Sequence, residues 1–163
     1  MLCKICNGLS SAYSKALILN KYNVHYYSCD YCGFIQSETP YWLNEAYSSP
    51  IARSDIGVIG RNIKLSNFCS AIIPIFYNSN LPFLDYAGGN GMFVRMMRDS
   101  GFEFYWQDKY ASNQFAEGFE VSQDDRFSLV TAFEVFEHLS QPLDIIKDMF
   151  QYSDTVIFTV SEL

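Results

Sequence analysis

Hydrophobic and polar residues follow several different periods along this chain, and the changes of period predict its elements. Residues 61–77 carry apolar side chains at roughly helical spacing, as at Phe68, Ile72 and Phe76, and this spacing predicts a helix. The next segment, "NSNLP", contains Pro82. A helix is expected to end there, because proline lacks the backbone donor that a helix needs.

Beyond Pro82 the pattern alternates between strand and helix. Strand character is found in "FLDYA", in "FEFYWQD", at the start of "FSLVTAFEVFEHL" and in "DTVIFTV". Helices are predicted for "GMFVRMMRDSG" and "QPLDIIKDMFQYS", and a short helix or loop running into a strand for "NQFAEGFEV". Strands and helices in this order indicate an α/β fold, with a Rossmann-like parallel sheet and right-handed crossovers.

The first 36 residues have a different character. The segments "KALILN" and "NVHYYSC" predict short strands, and two Cys-x-x-Cys pairs enclose them, Cys3 with Cys6 and Cys29 with Cys32. In a reducing compartment this spacing is typical of a structural zinc site, because four thiolates close a tetrahedral shell. Such a site would fold a segment that is too small to fold alone. The alternative is four unliganded cysteines or redox chemistry.

Length and charge limit the remaining possibilities. The 163 residues accommodate a small module at 1–36, a connector and linker helix at 37–80, and an α/β core at 81–163. A net charge of −7 argues against nucleic acid and anionic membranes as partners, because it repels their phosphates. The chain has no apolar run near the ~20 residues of a membrane span and starts without a secretory signal, so we expect a cytoplasmic protein.

Cys69, in an apolar stretch, is predicted to be a core residue.

The segment "LDYAGGNG" lies between a predicted strand and a predicted helix. Glycines there let the backbone approach a ligand closely, and the helix N-terminus offers free N–H groups. Asp108 ends the next strand, 17 residues after Gly91, where a carboxylate can accept hydrogen bonds from both ribose hydroxyls. The glycine spacing does not fit G-x-G-x-x-G, so the loop favours an adenosine ligand without phosphates over a dinucleotide.

Three ordered motifs resemble those of class I S-adenosylmethionine-dependent methyltransferases. "LDYAGGNG" is similar to their acidic residue followed by G-x-G-x-G, with Ala87 at the first glycine position. "SLVTAFEVFEHLSQPLD" is similar to their fourth-strand motif, and Asp108 matches their ribose ligand. An alanine at position 87 is tolerated there if its φ is negative. The resemblance spans residues 81–163 and implies an S-adenosylmethionine site formed by Asp85, Ala87, Gly88, Gly89, Gly91, Asp108, Phe133 and Glu134.

The order of cysteine module and core narrows the resemblance to zinc-containing methyltransferases related to sugar C-methyltransferases. It implies a small-molecule methyl acceptor, such as a nucleotide-linked sugar or a related metabolite. It also implies that His138, after the fourth strand, and Tyr47, in "PYWLNEAYSSPI", face the substrate as catalytic residues. The alternative is a packing role for Tyr47 and a loop-shaping role for His138.

The resembling family has seven strands, whereas this sequence supplies a fifth strand, "DTVIFTV", and then only "SEL". We therefore expect an incomplete core that lacks the C-terminal substrate region, with an exposed fifth strand through which the chain can associate. Two other functions stay open on the sequence alone. One is a non-catalytic cofactor-binding or protein-interaction module, and the other, disfavoured by the loop spacing, is a nicotinamide-dependent oxidoreductase.

Overall fold

The structure is a computed structural model, and it describes residues 1–42, 45, 56–122 and 125–160. The chain divides into two compact units, residues 1–49 with 139–145 and residues 50–138 with 146–163. Tyr47, which the sequence placed near the substrate, lies outside the described residues. In the described part of the chain, helices are too short or too polar to cross a membrane.

The N-terminal unit contains a three-stranded antiparallel sheet. Its strands are β1 (Ser10–Ile18), β2 (Tyr22–Cys29) and β3 (Ile35–Ser37), in the order β1-β2-β3. Both strands predicted from the sequence are confirmed. Most of β1 is exposed, while Val24 in β2 is fully buried. This sheet therefore buries little apolar surface of its own.

The rest of the chain alternates between helix and strand. Its elements are α1 (Val58–Phe76), β4 (Phe83–Tyr86), α2 (Met92–Asp99), β5 (Phe104–Gln107), β6 (Leu129–Ala132), a 3-10 turn (Phe136–His138), α3 (Pro142–Met149) and β7 (Val156–Phe158). Each strand and helix expected here is confirmed, except the strand at the end of "NQFAEGFEV". That strand is reduced to one parallel bridge between Glu120 and Trp106, which follows a turn at Gly118, where φ is +86°.

The four strands of the second unit form a parallel sheet in the order β5-β4-β6-β7. The chain moves from β4 to one side to form β5 and then crosses to the other side for β6. In open α/β sheets, ligands bind at such a reversal, at the carboxyl ends of the strands. The sheet therefore places the loop after β4 at the expected ligand position of a Rossmann-like fold.

Helix α1 packs on this sheet through a fully buried face that includes Cys69 and Ile73. The rings of Phe83 and Phe104 stack in the same core, with centroids 5.2 Å apart. Burial raises the pKa of the Cys69 thiol to about 12, so this thiol stays neutral. The prediction that Cys69 is a core residue is confirmed.

Candidate functional site

The loop between β4 and α2 turns sharply on three left-handed residues. The φ angles of Ala87, Gly89 and Gly91 are +57°, +56° and +86°. These are the three positions at which the resembling motif has glycine, and Gly91 caps α2. The condition under which an alanine is tolerated at position 87, a negative φ, is not met, because the chain leaves the strand there through a left-handed residue. Ala87 therefore adopts a conformation that a Cβ disfavours.

Two positions of the loop require glycine because there is no room for a Cβ. A Cβ at Gly88 would lie 2.7 Å from Asp85 Oδ2 and 2.9 Å from Trp106 Cδ1, and a Cβ at Gly91 would lie 2.6 Å from Asn113 Oδ1. All three distances are below van der Waals contact. The loop backbone therefore lies directly against the buried carboxylate of β4 and against the segment that follows β5.

Asp85 lies under this loop and is only 4% exposed. The hydroxyl of Thr131, on the neighbouring strand β6, donates a hydrogen bond of 2.8 Å to Asp85 Oδ1. Burial raises the pKa of Asp85 to about 7; the Thr131 hydrogen bond opposes this rise and the charge of Asp108 adds to it. A carboxyl held near its titration point favours a cation beside it, because the cation compensates the charge that burial disfavours.

Asp108 holds the loop from the end of β5. Its Oδ2 accepts a hydrogen bond of 3.0 Å from the Gly89 N–H, and its Oδ1 accepts bonds of 2.7 and 2.8 Å from the N–H groups of Tyr110 and Ala111. Trp106 Nε1–H donates to the Gly89 carbonyl at 3.0 Å. A carboxylate has about four acceptor positions, so Oδ2 has capacity for a further donor.

Sequence reasoning missed this loop-holding role of Asp108. A local signal exists only for the bond from the Tyr110 N–H, because an aspartate commonly accepts the backbone N–H two residues later; the bond from Gly89 joins residues 19 positions apart. The same reasoning missed Thr131, whose position in a buried strand gave no indication that its hydroxyl meets Asp85.

The end of β6 forms the other side of the site. Phe133 packs edge-to-face on Phe93, with ring centroids 5.1 Å apart. Glu134 has a φ of +56°; its N–H donates to Thr159 Oγ1 at 3.0 Å, and that hydroxyl donates to Glu134 Oε1 at 3.1 Å. Non-glycine residues in this conformation are often found at functional sites. Thr159, at the end of β7, is a further residue that the sequence did not single out.

The structure brings most of the predicted cofactor residues to one edge of the sheet. Asp85, the loop 87–91, Asp108, and Phe133 with Glu134 all lie at or just beyond the carboxyl ends of β4, β5 and β6. His138 lies further on, exposed at the end of the 3-10 turn.

The four cysteines of the N-terminal unit also come together. Their sulfur atoms all lie within 4.8 Å of one another, and Sγ of Cys3 is 3.6 Å from that of Cys32, with 3.5 Å between Cys6 and Cys29. Four sulfurs at ~2.3 Å from a tetrahedral zinc ion would be about 3.8 Å apart. The cluster therefore has the donor set and the dimensions to hold such a metal ion.

The two Cys-x-x-Cys segments fold in the same way. The carbonyl of Cys3 accepts the Asn7 N–H and that of Cys29 accepts the Gly33 N–H, both at 3.0 Å, and Asn7 and Gly33 have φ of +59° and +74°. The Cys32 N–H lies 3.5 Å from Cys29 Sγ; this donor lowers the pKa of the Cys29 thiol to about 6 and outweighs burial. At Cys6 a backbone donor from Gly8 is outweighed by burial and by hydrogen bonds from the other three thiols, which raise the pKa of that thiol to about 12. Within this pair the backbone therefore favours the thiolate form at Cys29.

Comparison with known proteins decides the family of the second unit. A profile of the methyltransferase domain family matches residues 60–161. The chain belongs to this family. No curated protein matches the chain. The match begins two residues inside α1 and covers all four strands of the parallel sheet.

Solved structures similar to this chain include the plantazolicin methyltransferase BpumL in complex with SAH, with 12% identity and a TM-score of 0.49. A second structure of BpumL, with a monoazolic desmethylPZN analog and SAH, has 11% identity and a TM-score of 0.44. Each match covers 71% of this chain, but 56% and 51% of those two chains. This chain therefore spans little more than half of their length.

Proposed function

We propose that this chain binds S-adenosylmethionine in the loop 87–91 and supports methyl transfer to a small molecule. The observation that carries the proposal is the arrangement of the loop within a methyltransferase domain. The loop lies where strand order reverses, over the buried carboxyl of Asp85, and is tied to Asp108. When bound, S-adenosylmethionine supplies an electrophilic methyl group on a positively charged sulfur.

The residues of the site then have separate roles. Asp85 supplies negative charge that complements the cationic cofactor, directly or through water. Asp108 Oδ2 accepts a hydrogen bond from a ribose hydroxyl, and the backbone of Gly88, Gly89 and Gly91 lies along the ligand. Methyl transfer is a displacement, so the protein contributes mainly by holding donor and acceptor in line.

For the methyl acceptor we propose a nucleotide-linked sugar or a related small metabolite. The combination of a four-cysteine module with a methyltransferase domain supports this class, through the resemblance to sugar C-methyltransferases. His138, exposed beyond the end of β6, and Tyr47 are proposed to face the acceptor, while Phe133 and Glu134 line the cofactor side of the mouth. We propose that the protein acts in the cytoplasm.

We also propose that Cys3, Cys6, Cys29 and Cys32 bind one structural zinc ion. Four thiolates fill a tetrahedral shell, so this site stabilises the module and leaves no position open for catalysis. Elemental analysis of the purified protein should give about one zinc per chain. A metal content far below one per chain contradicts the assignment.

Calorimetry with S-adenosylmethionine and with S-adenosylhomocysteine tests the cofactor proposal. Asp108→Ala should weaken binding by about 1–3 kcal/mol, because charged hydrogen bonds are lost, and Gly88→Ala should do so by displacing the loop. Asp99→Asn is the matched control, since Asp99 is an exposed aspartate on α2 paired with Arg95. Absence of binding heat at millimolar ligand, or unchanged affinity in Asp108→Ala, refutes the proposed site.

The second candidate function is a cofactor-binding or interaction module without catalysis. It is favoured by an apolar groove of ≈ 430 Å³ beside β7, with lining side chains that include Phe136, Ile146, Phe150 and Phe158. Among the described strands β7 pairs only with β6, so another chain can associate there. Cofactor binding without transfer of a labelled methyl group to any sugar nucleotide would favour this function.

A further inference from the structure

Ser10, the first residue of β1, carries a hydroxyl that needs an explanation. Among the buried side-chain nitrogen and oxygen atoms of the described residues, Ser10 Oγ alone has no hydrogen-bond partner. Ser10 is only 8% exposed, so water does not readily supply the missing bond. A buried polar group of this kind calls for a partner such as an ordered water, an ion or a group on a bound ligand.

The strand register places this hydroxyl beside the cysteine cluster. Ser10 lies directly opposite Cys29 in the antiparallel pair of β1 and β2. The Asp30 N–H donates to the Leu9 carbonyl at 3.0 Å, so Ser10 and Cys29 form a non-hydrogen-bonded pair. In such a pair both side chains lie on the same face, with their Cβ atoms about 4.5–5.5 Å apart or closer.

The sulfur of Cys29 lies under the segment that leads into β1. A Cβ at Gly8 would lie 3.3 Å from the sulfurs of both Cys29 and Cys6, so the chain passes close over this pair. In this structure the Ser10 hydroxyl makes no hydrogen bond to either sulfur, and a neutral thiol is in any case a weak acceptor. Metal binding converts the thiol to a thiolate, and an anionic acceptor forms a much stronger hydrogen bond.

We propose that Ser10 is a positioning residue of the metal site, whose hydroxyl donates a hydrogen bond to the metal-bound thiolate of Cys29. This inference rests on the proposed four-cysteine site. The hydrogen bond orients the Cys29 sulfur and withdraws negative charge from it, which favours a tetrathiolate around one divalent ion. Groups that hydrogen-bond to metal ligands typically change metal affinity 10–100-fold when they are removed.

The test uses the full chain and titration with Co²⁺, followed by thiolate-to-cobalt charge-transfer absorption, with Zn²⁺ competition for affinity. Ser10→Thr and Ser10→Val are compared, because their side chains have the same shape and differ in the hydroxyl. We expect Ser10→Thr to bind as the wild type does. Ser10→Val should bind about tenfold more weakly, and its band should move to lower energy, because an unbonded thiolate gives up its electron more readily.

The control is Ser14→Val, at an exposed position of the same strand, which should change neither affinity nor band energy. The band energy is read at saturating Co²⁺, so it reports on the thiolate even where the variant loads weakly. Equal affinity and equal band energy in Ser10→Thr and Ser10→Val would overturn the role of Ser10 while the metal site stands. A wild-type chain that binds neither Co²⁺ nor Zn²⁺ would overturn the metal site and this inference with it.

Discussion

The cysteine module and the methyltransferase domain reach an ordered fold by different physical means. In the methyltransferase domain, Phe83, Phe104 and Leu129 from three neighbouring strands are fully buried, and apolar burial is the dominant favourable term in folding. In the module, β1 is exposed at most of its positions, and Val24 is the fully buried aliphatic side chain of the described sheet. With the proposed metal ion bound, the module depends on its cysteines, and perturbations should affect the two units separately.

Removal of the proposed metal ion should produce the largest difference in amide hydrogen exchange between the two units. Binding of structural zinc by small cysteine modules supplies an apparent ~10–16 kcal/mol at pH 7, more than a sheet of this kind gains from apolar burial. With a chelator, or in Cys6→Ser, amide hydrogen exchange should become fast across residues 1–42. Strands β4 to β6 should retain their protection, as measured by mass spectrometry of peptic fragments.

Cys69→Ala is the control for this experiment, because Cys69 is buried in the other unit and its loss should leave metal content unchanged. Slow exchange across residues 1–42 after complete chelation would show that the module folds without metal. The comparison between the two units would then lose its basis.

A cavity in the parallel sheet should instead destabilise the methyltransferase domain and leave the cysteine module unchanged. Phe83→Ala removes a fully buried ring that stacks on Phe104, and such substitutions cost ~3–5 kcal/mol in the free energy of unfolding. Urea denaturation followed by tryptophan fluorescence measures this cost. Phe150→Ala is the matched control at a position that is 48% exposed, where we expect a change within about 0.5 kcal/mol.

Metal content should be the same in both variants, because neither change touches the cysteines. A loss below about 1 kcal/mol in Phe83→Ala would mean that the sheet does not depend on this core. Loss of metal from Phe83→Ala would mean that the two units do not respond independently.

The two units should also respond to pH in opposite directions. The pKa of Asp85 is about 7 in the fold, raised by burial from 3.8, so between these values the folded state binds more protons than the unfolded state. The stabilising contribution of the protonated carboxyl is therefore present at low pH and is lost as the pH rises from about 4 to about 7. The cysteine module behaves in the opposite way, because protons compete with the metal for thiolates.

Exchange rates or melting temperatures recorded from pH 4 to pH 8 check this difference. The methyltransferase domain should lose stability with rising pH over that window, whereas Asp85→Asn, which cannot ionise, should flatten the dependence. Thr131→Val leaves the carboxyl titratable and serves as the comparison variant. A wild-type profile as flat as that of Asp85→Asn would show that Asp85 does not titrate in this range.

The sequence predicted the elements better than it predicted the contacts of the site. Strands β4 to β7 and helices α1 to α3 follow from local apolar patterns, because these patterns record which face each element buries. The bond between Thr131 and Asp85 joins residues 46 positions apart, and the pairing of Glu134 with Thr159 spans 25. Such contacts depend on which strands pair in the sheet, and the local sequence pattern around each residue does not specify that pairing.

Backbone conformation was the second thing that the sequence left open. The chain has alanine at position 87, and the sequence alone did not fix the sign of φ there. The angle is instead set by the requirement to leave β4 and pass over Asp85 with a left-handed residue. Gly88 is a second example. The side chains of Asp85 and of Trp106, which lies on another strand, leave no room for a Cβ at this position.

The smallest predicted effect tests this strained position. A left-handed conformation costs a non-glycine residue ~1–2 kcal/mol, and glycine avoids this cost but loses about 0.4–1 kcal/mol through a more disordered unfolded state. Ala87→Gly should therefore stabilise the methyltransferase domain by about 0.5–1 kcal/mol in urea denaturation and leave the cysteine module unchanged. Ala111→Gly is the control. Because Ala111 lacks a positive φ, this substitution should destabilise the domain by about as much as Ala87→Gly stabilises it. If Ala87→Gly destabilises the domain as much as Ala111→Gly does, the left-handed alanine is not strained, and the loop gains nothing from the glycine that related motifs carry at this position.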